Sequence, residues 1–122
     1  MSLLRSPLYS KGTGFTVAER ERFDLDGLLP SQANDIDTQA ERTFRTIMFN
    51  EDLVGRHIGL AALQDRNEHL FYKILSPHLE ELMPIVYTPT VGKASQHFSR
   101  VFRRGRGIWI TPNYAGRIEQ VL

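Results

Sequence analysis

Tyr87 is the side chain of this sequence whose type and setting best suit proton transfer. It lies between Pro84 and Pro89, directly ahead of a predicted helix start at Thr90. A phenol is protonated at neutral pH and can therefore begin a reaction as a proton donor. The free amides at a helix start could stabilise its anion or bind an anionic substrate. From the residues alone, a tyrosine that simply packs in the fold is the simpler interpretation, and both stay open.

The other chemistry-bearing side chains form no recognisable catalytic or metal-binding pattern. The adjacent Glu80 and Glu81 would face different directions on a helix, so they cannot act as a facing acid and base. The chain has no cysteine and no G-x-G-x-x-G or G-x-x-x-x-G-K-[ST] pattern, which excludes thiolate chemistry and a phosphate-binding loop within its 122 residues. Surface or packing roles are the better interpretation for the histidines, which lack metal-ligand spacing: His57, His69, His78 and His97.

The net charge of +1 conceals an uneven distribution. Residues 87–122 hold six of the 15 Lys and Arg but only one of the 14 Asp and Glu. This asymmetry indicates either an anionic partner or neutralisation by the acidic remainder of the molecule. Phe98 and Phe102 fall on the apolar face of a predicted helix, not on a base-stacking surface, so we do not expect nucleic acid as a partner. The alternative, a nucleic-acid binder, predicts strongly salt-dependent binding through Lys93, Arg100, Arg103 and Arg104.

The elements that must position these side chains are predicted to be helices. Residues 1–14 show no hydrophobic period and are predicted to form an irregular arm, whereas residues 15–122 form a mainly α domain of about six helices. Thr16 and Glu19 have the spacing of a capping box that opens a short helix. The apolar stripe from Ile36 to Met48 predicts an amphipathic helix capped by Asp35 or Asp37. A further helix is predicted over about 52–64, with the helical pattern continuing through 65–75.

Prolines and glycines set the predicted boundaries of the C-terminal half. Ser76-Pro77 predicts a helix start with proline at its first position, and Pro84 is expected to stop that helix. Residues 85–89 are then predicted to be extended or turn-like. Thr90 is predicted to cap a final long helix that Gly105 and Gly107 end. One extended segment near 108–111 follows, and a single strand cannot pair with itself, so its partner would lie in a missing segment or another chain.

Apolar runs in this sequence are only a few residues long, so no segment is expected to span a membrane. The first ten residues, MSLLRSPLYS, lack the apolar stretch of a secretory signal and the Arg-rich character of a transit peptide. We therefore expect a cytoplasmic protein.

Three collinear motifs give the sequence a resemblance to a known family. Residues 64–72 read Q-D-R-N-E-H-L-F-Y, residues 81–92 read E-L-M-P-I-V-Y-T-P-T-V-G, and residues 102–107 read F-R-R-G-R-G. Together with K-G-T-G-F-T at 11–16 and G-L-L-P at 27–30, they resemble the helical N-terminal domain of malic enzymes. The resemblance extends over about 11–122, and a twelve-residue motif with collinear flanking motifs is highly specific.

The resemblance implies oxidative decarboxylation of (S)-malate to pyruvate and CO2, with NAD or NADP as the oxidant and Mg or Mn as the metal. It implies that Tyr87 is the general acid that protonates the enol of pyruvate at carbon. The lysine base, the malate-binding arginine, the metal ligands and the dinucleotide-binding domain of the family would lie beyond residue 122. We therefore expect a truncated chain that is inactive by itself, binds no metal or cofactor, and is not the part that chooses between NAD and NADP.

Two further implications concern regulation and assembly. In some malic enzymes a dicarboxylate activator, fumarate, binds arginines that correspond to Arg42 and Arg66, although Asn34 stands where those members have an acidic residue. The family's N-terminal domain also contributes to subunit contacts, which implies a homo-oligomer. The alternative function is a non-catalytic helical interaction module. The alternative for the two arginines is a set of structural ion pairs with Glu41, Asp65 or Glu68.

Overall fold

Every regular element in the described part of the chain is a helix. The computed structural model describes residues 3–101 and 107–122, and the prediction of a mainly α fold is confirmed. No helix within these ranges combines the length and apolar character that a membrane crossing requires. The α-helices are α1 (Val17–Arg22), α2 (Ile36–Met48), α3 (Leu53–Arg66), α4 (Glu68–Leu75), α5 (Leu79–Val86), α6 (Thr90–Gln96), α7 (Phe98–Val101) and α8 (Ile118–Val121), and short 3₁₀ helices cover Leu3–Arg5, Gly12–Gly14 and Pro112–Tyr114.

Side-chain caps begin the first four helices. The capping box of α1 is confirmed, because the Glu19 amide donates to Thr16 Oγ1 at 3.2 Å and the Thr16 amide donates to Glu19 Oε2 at 2.9 Å. Asp35 caps α2 by accepting from the Thr38 amide at 2.7 Å. Asp52 caps α3 and Asn67 caps α4 in the same way. Each helix start is therefore fixed by residues no more than three positions apart.

The hydrophobic core lies around α3. This helix packs against α2, α4, α5 and α6, and α2 also packs against α4. Burial of apolar side chains from these helices supplies the main driving force for folding. The buried cluster consists of Ile47, Leu60, Leu63, Leu70, Phe71, Ile74, Leu82 and Ile85.

The region between residues 65 and 82 differs from the prediction in two places. The helical pattern predicted over residues 65–75 is confirmed except at Asn67, which leaves helical geometry, ends α3 and caps α4. Ser76 does not open a helix with Pro77 at its first position. Ser76 ends α4, and both its amide (3.0 Å) and its hydroxyl (2.8 Å) donate to the Tyr72 carbonyl. The next helix begins only at Leu79.

Pro84 lies inside α5 and does not stop it. Leu82 and Ile85 are fully buried on either side of the proline, so their burial offsets the one backbone hydrogen bond that proline cannot donate. The prediction of an extended or turn-like segment over 85–89 is therefore wrong for its first two residues, which are helical. The turn covers Tyr87–Pro89 only.

The predicted long helix from Thr90 is in fact two short ones. Thr90 is the first helical residue and not the cap, since its buried hydroxyl accepts no backbone hydrogen bond. His97 separates α6 from α7 with φ −105° and ψ 24°, and Phe98 then packs against Trp109 at a ring distance of 4.9 Å. The predicted end at Gly105, like Phe102, Arg103 and Arg104, lies outside the described residues.

The two ends of the chain differ in how they are held. Residues 3–14 contain two 3₁₀ turns, and the Pro7 carbonyl accepts from the Glu68 amide at the start of α4 at 2.9 Å. Residues 108–111 form no strand, and no described residue offers a strand to pair with them. Ile108, Trp109 and Ile110 are exposed.

Candidate functional site

Tyr87 lies at the end of α5, on a main chain that is fixed from both sides. Its amide donates to the Met83 carbonyl at 2.9 Å, and its own carbonyl accepts from the Val91 amide at 2.7 Å. The Tyr87 side chain is 63% exposed, and no hydrogen bond to its phenol is found among the described residues. Among the described residues, Tyr87 is thus exposed and its phenol has no hydrogen-bond partner.

The buried residues on either side of the turn explain why Tyr87 points outward. Leu82, Ile85 and Thr90 are all fully buried, which fixes the end of α5 and the beginning of α6 against the core. Tyr87 is the exposed residue between these anchors. The sequence suggested that amides at this helix start could bind a substrate. The amide of Val91, near the start of α6, instead donates to the Tyr87 carbonyl and is not available for that role.

His57 holds the last turn of α5 from the neighbouring helix. Its ring Nδ1 lies 2.9 Å from the Ile85 carbonyl oxygen, across 28 positions of sequence. From the sequence alone, His57 is predicted to be a surface or packing histidine. The sequence did contain a signal that the Ile85 carbonyl needs another donor. Pro89 lies four residues after Ile85, and proline has no amide hydrogen to donate to that carbonyl.

Arg42 and Arg66 are both exposed, in the middle of α2 and at the last position of α3. Neither guanidinium lies within 4.0 Å of a carboxylate among the described residues, and Glu41 pairs with Arg45 instead. The structure therefore gives no support to structural ion pairs of the two arginines within the described part of the chain. Binding of a dicarboxylate by Arg42 and Arg66 stays a prediction.

Two open cavities lie away from these three predicted site residues. A groove of about 510 Å³ between α2 and α4 contains Phe44 stacked on His78, with ring centroids 3.9 Å apart, and a Lys73–Asp37 ion pair of 2.7 Å. A second cavity, of about 390 Å³, is lined partly by the buried amide Gln39. Neither is lined by Tyr87, Arg42 or Arg66, so neither connects them into one pocket.

The carboxylates with shifted acidity belong to helix caps. The hydrogen bond from Lys11 is the main cause that holds the pKa of Glu19 below its ordinary value, and the Thr38 amide does the same for the pKa of Asp35. Within residues 3–101 and 107–122, no three His, Cys, Asp or Glu side chains form a group that could hold a metal ion.

Comparison with known proteins finds similarity to malic enzymes by two routes. Residues 64–122 match the family model described as malic enzyme, N-terminal domain. The chain is 46% identical over 121 residues to an NAD-dependent malic enzyme of Aeromonas hydrophila, an alignment that covers 99% of the chain and 22% of the relative. It is 47% identical to one of Erwinia tasmaniensis (98% and 21%) and 48% identical to one of Aeromonas salmonicida (99% and 22%). The chain thus spans about a fifth of the length of these relatives.

Proposed function

We propose that this chain is part of an NAD-dependent malic enzyme, because residues 64–122 match the malic enzyme N-terminal domain and nearly the whole chain is similar to enzymes of that name. The proposed reaction oxidises (S)-malate, releases CO2 and forms pyruvate with reduction of NAD. The single observation that carries the proposal is the 46% identity to an enzyme of that name over 99% of the chain. NAD is preferred to NADP because the relatives are NAD-dependent.

In this proposal Tyr87 is the general acid. Loss of CO2 leaves the enol of pyruvate. The phenol of Tyr87 would donate a proton to its methylene carbon while the enol hydroxyl loses its proton to a base outside the described residues, which leaves the keto group of pyruvate. The phenolate that remains would take up a proton before the next turnover. Three features support this role: the phenol is 63% exposed, it has no hydrogen-bond partner among the described residues, and its main chain is held on both sides.

The metal and the nucleotide would be held by residues other than those described. The described residues provide no metal-binding group, so no step of the reaction is assigned to Mg or Mn through this chain. A proton donor without its base, metal and hydride acceptor cannot complete the reaction. We therefore propose that the 122-residue chain by itself does not turn over malate.

Self-association is the second part of the proposal. Several large apolar side chains are exposed, which is typical of a surface that contacts another subunit. A homo-oligomer in the cytoplasm therefore stays our prediction for the complete enzyme. Exposed side chains of this kind, apart from Tyr87, include Phe49, Leu122, Tyr9 and Val17.

The test is the replacement Tyr87→Phe in the complete enzyme, followed by NADH absorbance and pyruvate release. We expect kcat to fall by about 10²–10⁴-fold, the usual contribution of general acid catalysis, with little change in the KM for malate. Tyr72→Phe is the matched control, since it removes another exposed phenol oxygen, from α4.

Two results would contradict the proposal. Undiminished pyruvate release by the Tyr87→Phe enzyme would remove the catalytic role of this residue. Failure of the complete wild-type protein to form NADH from malate would reject the enzyme function itself and favour the non-catalytic interaction module.

A further inference from the structure

The carbonyl of Ile85 has lost the donor that an α-helix normally supplies. In a continuing helix it would accept from the amide four residues on, but that residue is Pro89, which has no N–H. No backbone amide in the described part of the chain donates to this oxygen. Because Ile85 is fully buried, an unsatisfied carbonyl here would be costly.

His57 supplies the missing donor from α3. The Nδ1 atom lies 2.9 Å from the Ile85 oxygen, and since a carbonyl only accepts, Nδ1 must carry the hydrogen. The helix that carries His57 is itself held in the core, because Leu60 and Leu63 of the same helix are buried there. The bond therefore joins the last turn of α5 to the central helix of the fold.

We propose that His57 is a positioning residue for Tyr87. The fixed carbonyl is two residues before Tyr87, so the bond sets the direction in which the chain leaves α5 and hence the place of the phenol. This inference rests on the proposed role of Tyr87 as general acid. Loss of the bond lets the last turn of α5 move, and a small displacement of a catalytic group is enough to lower kcat by about 10–100-fold.

The experiment compares three replacements of His57 in the complete enzyme. His57→Leu removes the donor, His57→Asn keeps an N–H at about the position of Nδ1, and His57→Gln places its N–H further out. We expect His57→Leu and His57→Gln to lower kcat by about 10–100-fold with unchanged KM for malate and NAD, whereas His57→Asn keeps most of the activity. His69→Leu, on the exposed face of α4, is the control and should leave kcat unchanged.

A double-mutant cycle with Tyr87→Phe shows whether His57 acts through the phenol. If it does, His57→Leu causes no further fall in kcat once the phenol is absent. An equal fall in both backgrounds, or wild-type kcat in His57→Leu, would overturn the inference. If His57→Leu does not fold, equal kcat values for the Asn and Gln variants would overturn it as well.

The failure of this inference is distinguishable from failure of the proposed function. If Tyr87→Phe alone keeps full activity, the general-acid role is wrong, and the positioning role fails with it. If Tyr87→Phe is impaired while the cycle shows independent effects, the general-acid role stands and only the role of His57 is refuted.

Discussion

Arg20 is a buried cation whose partners are all main-chain carbonyls, and replacing it should unfold the N-terminal third of the molecule first. Only 5% of its surface is exposed. Its five N–H groups all find acceptors. The nearer acceptors are the carbonyls of Pro30 (2.5 Å), Phe15 (2.9 Å) and Thr13 (3.0 Å), and the more distant ones are those of Gln32 (3.3 Å) and Ser31 (3.4 Å).

The expected loss follows from these distances. A hydrogen bond to a charged group contributes about 1.5–3 kcal/mol, so the three bonds of 3.0 Å or less set the scale. Part of that gain is already offset by the cost of burying the guanidinium, and residues 30–32 are exposed, so water can reach their carbonyls after the replacement. We therefore expect Arg20→Met to lower the free energy of unfolding by about 2–4 kcal/mol.

Arg20→Lys separates the geometry of the side chain from its charge. Lysine keeps the positive charge but has only three donors on one nitrogen, so it cannot reach the carbonyls on both sides. We expect it to lie between wild type and Arg20→Met. Arg22→Met, on the exposed side of the same helix, is the control and should change stability by no more than about 0.5 kcal/mol.

Urea unfolding followed by far-UV circular dichroism measures these differences as shifts of the midpoint at constant slope. Limited proteolysis within residues 30–34 reports whether the loss is local to the segment that Arg20 holds. Equal midpoints for wild type and Arg20→Met would refute the reasoning. So would a lysine variant as stable as wild type, because the geometry of the guanidinium would then be irrelevant.

Two further predictions concern ionisation and an unsatisfied hydroxyl. Hydrogen bonds from Lys11 and from the Thr38 amide hold the pKa values of Glu19 and Asp35 below their ordinary 4.5 and 3.8, so their stabilising effect is present at neutral pH and is lost as the pH falls through the lowered values. The difference in melting temperature between wild type and Asp35→Asn should shrink over that acid range, and a difference independent of pH would contradict this. Thr90 Oγ1 is buried with no hydrogen-bond partner in the described part of the chain, so Thr90→Val, which keeps the shape, should raise the free energy of unfolding by about 1–2 kcal/mol. An unchanged or lower urea midpoint would show that the hydroxyl is stabilising.

The starts of α1 and α2 were predicted correctly from the sequence. The capping box of Thr16 and Glu19 and the cap by Asp35 involve residues three positions apart, so the pattern alone contains all the partners. The boundary between α4 and α5 was predicted wrongly. Ser76 has a side chain suited to a helix start but bonds backwards to Tyr72, and only the packing of α4 decides between the two.

The interior of α5 shows why local rules can fail. Proline normally ends a helix, yet Pro84 lies within one because Leu82 and Ile85 are buried on either side of it. Their partners in the core come from α3 and other helices that are distant in sequence. Proline inside a helix costs about 3 kcal/mol. Burial of two large apolar side chains contributes about 3–6 kcal/mol, so the tertiary contacts prevail.

The sequence by itself determined which side chain is proposed as the proton donor, the phenol of Tyr87 in its proline-flanked motif, and the family that this motif resembles. It also determined the helical class of the fold, because hydrophobic periodicity and helix caps depend on residues that are only a few positions apart. Only the tertiary structure decided that the phenol faces outward, that His57 holds the Ile85 carbonyl across 28 positions, and that Arg20 bonds five carbonyls. Every residue has a main-chain carbonyl, so a hydrogen bond to one depends on the path of the backbone and not on the type of residue. Residue types alone therefore do not reveal such bonds.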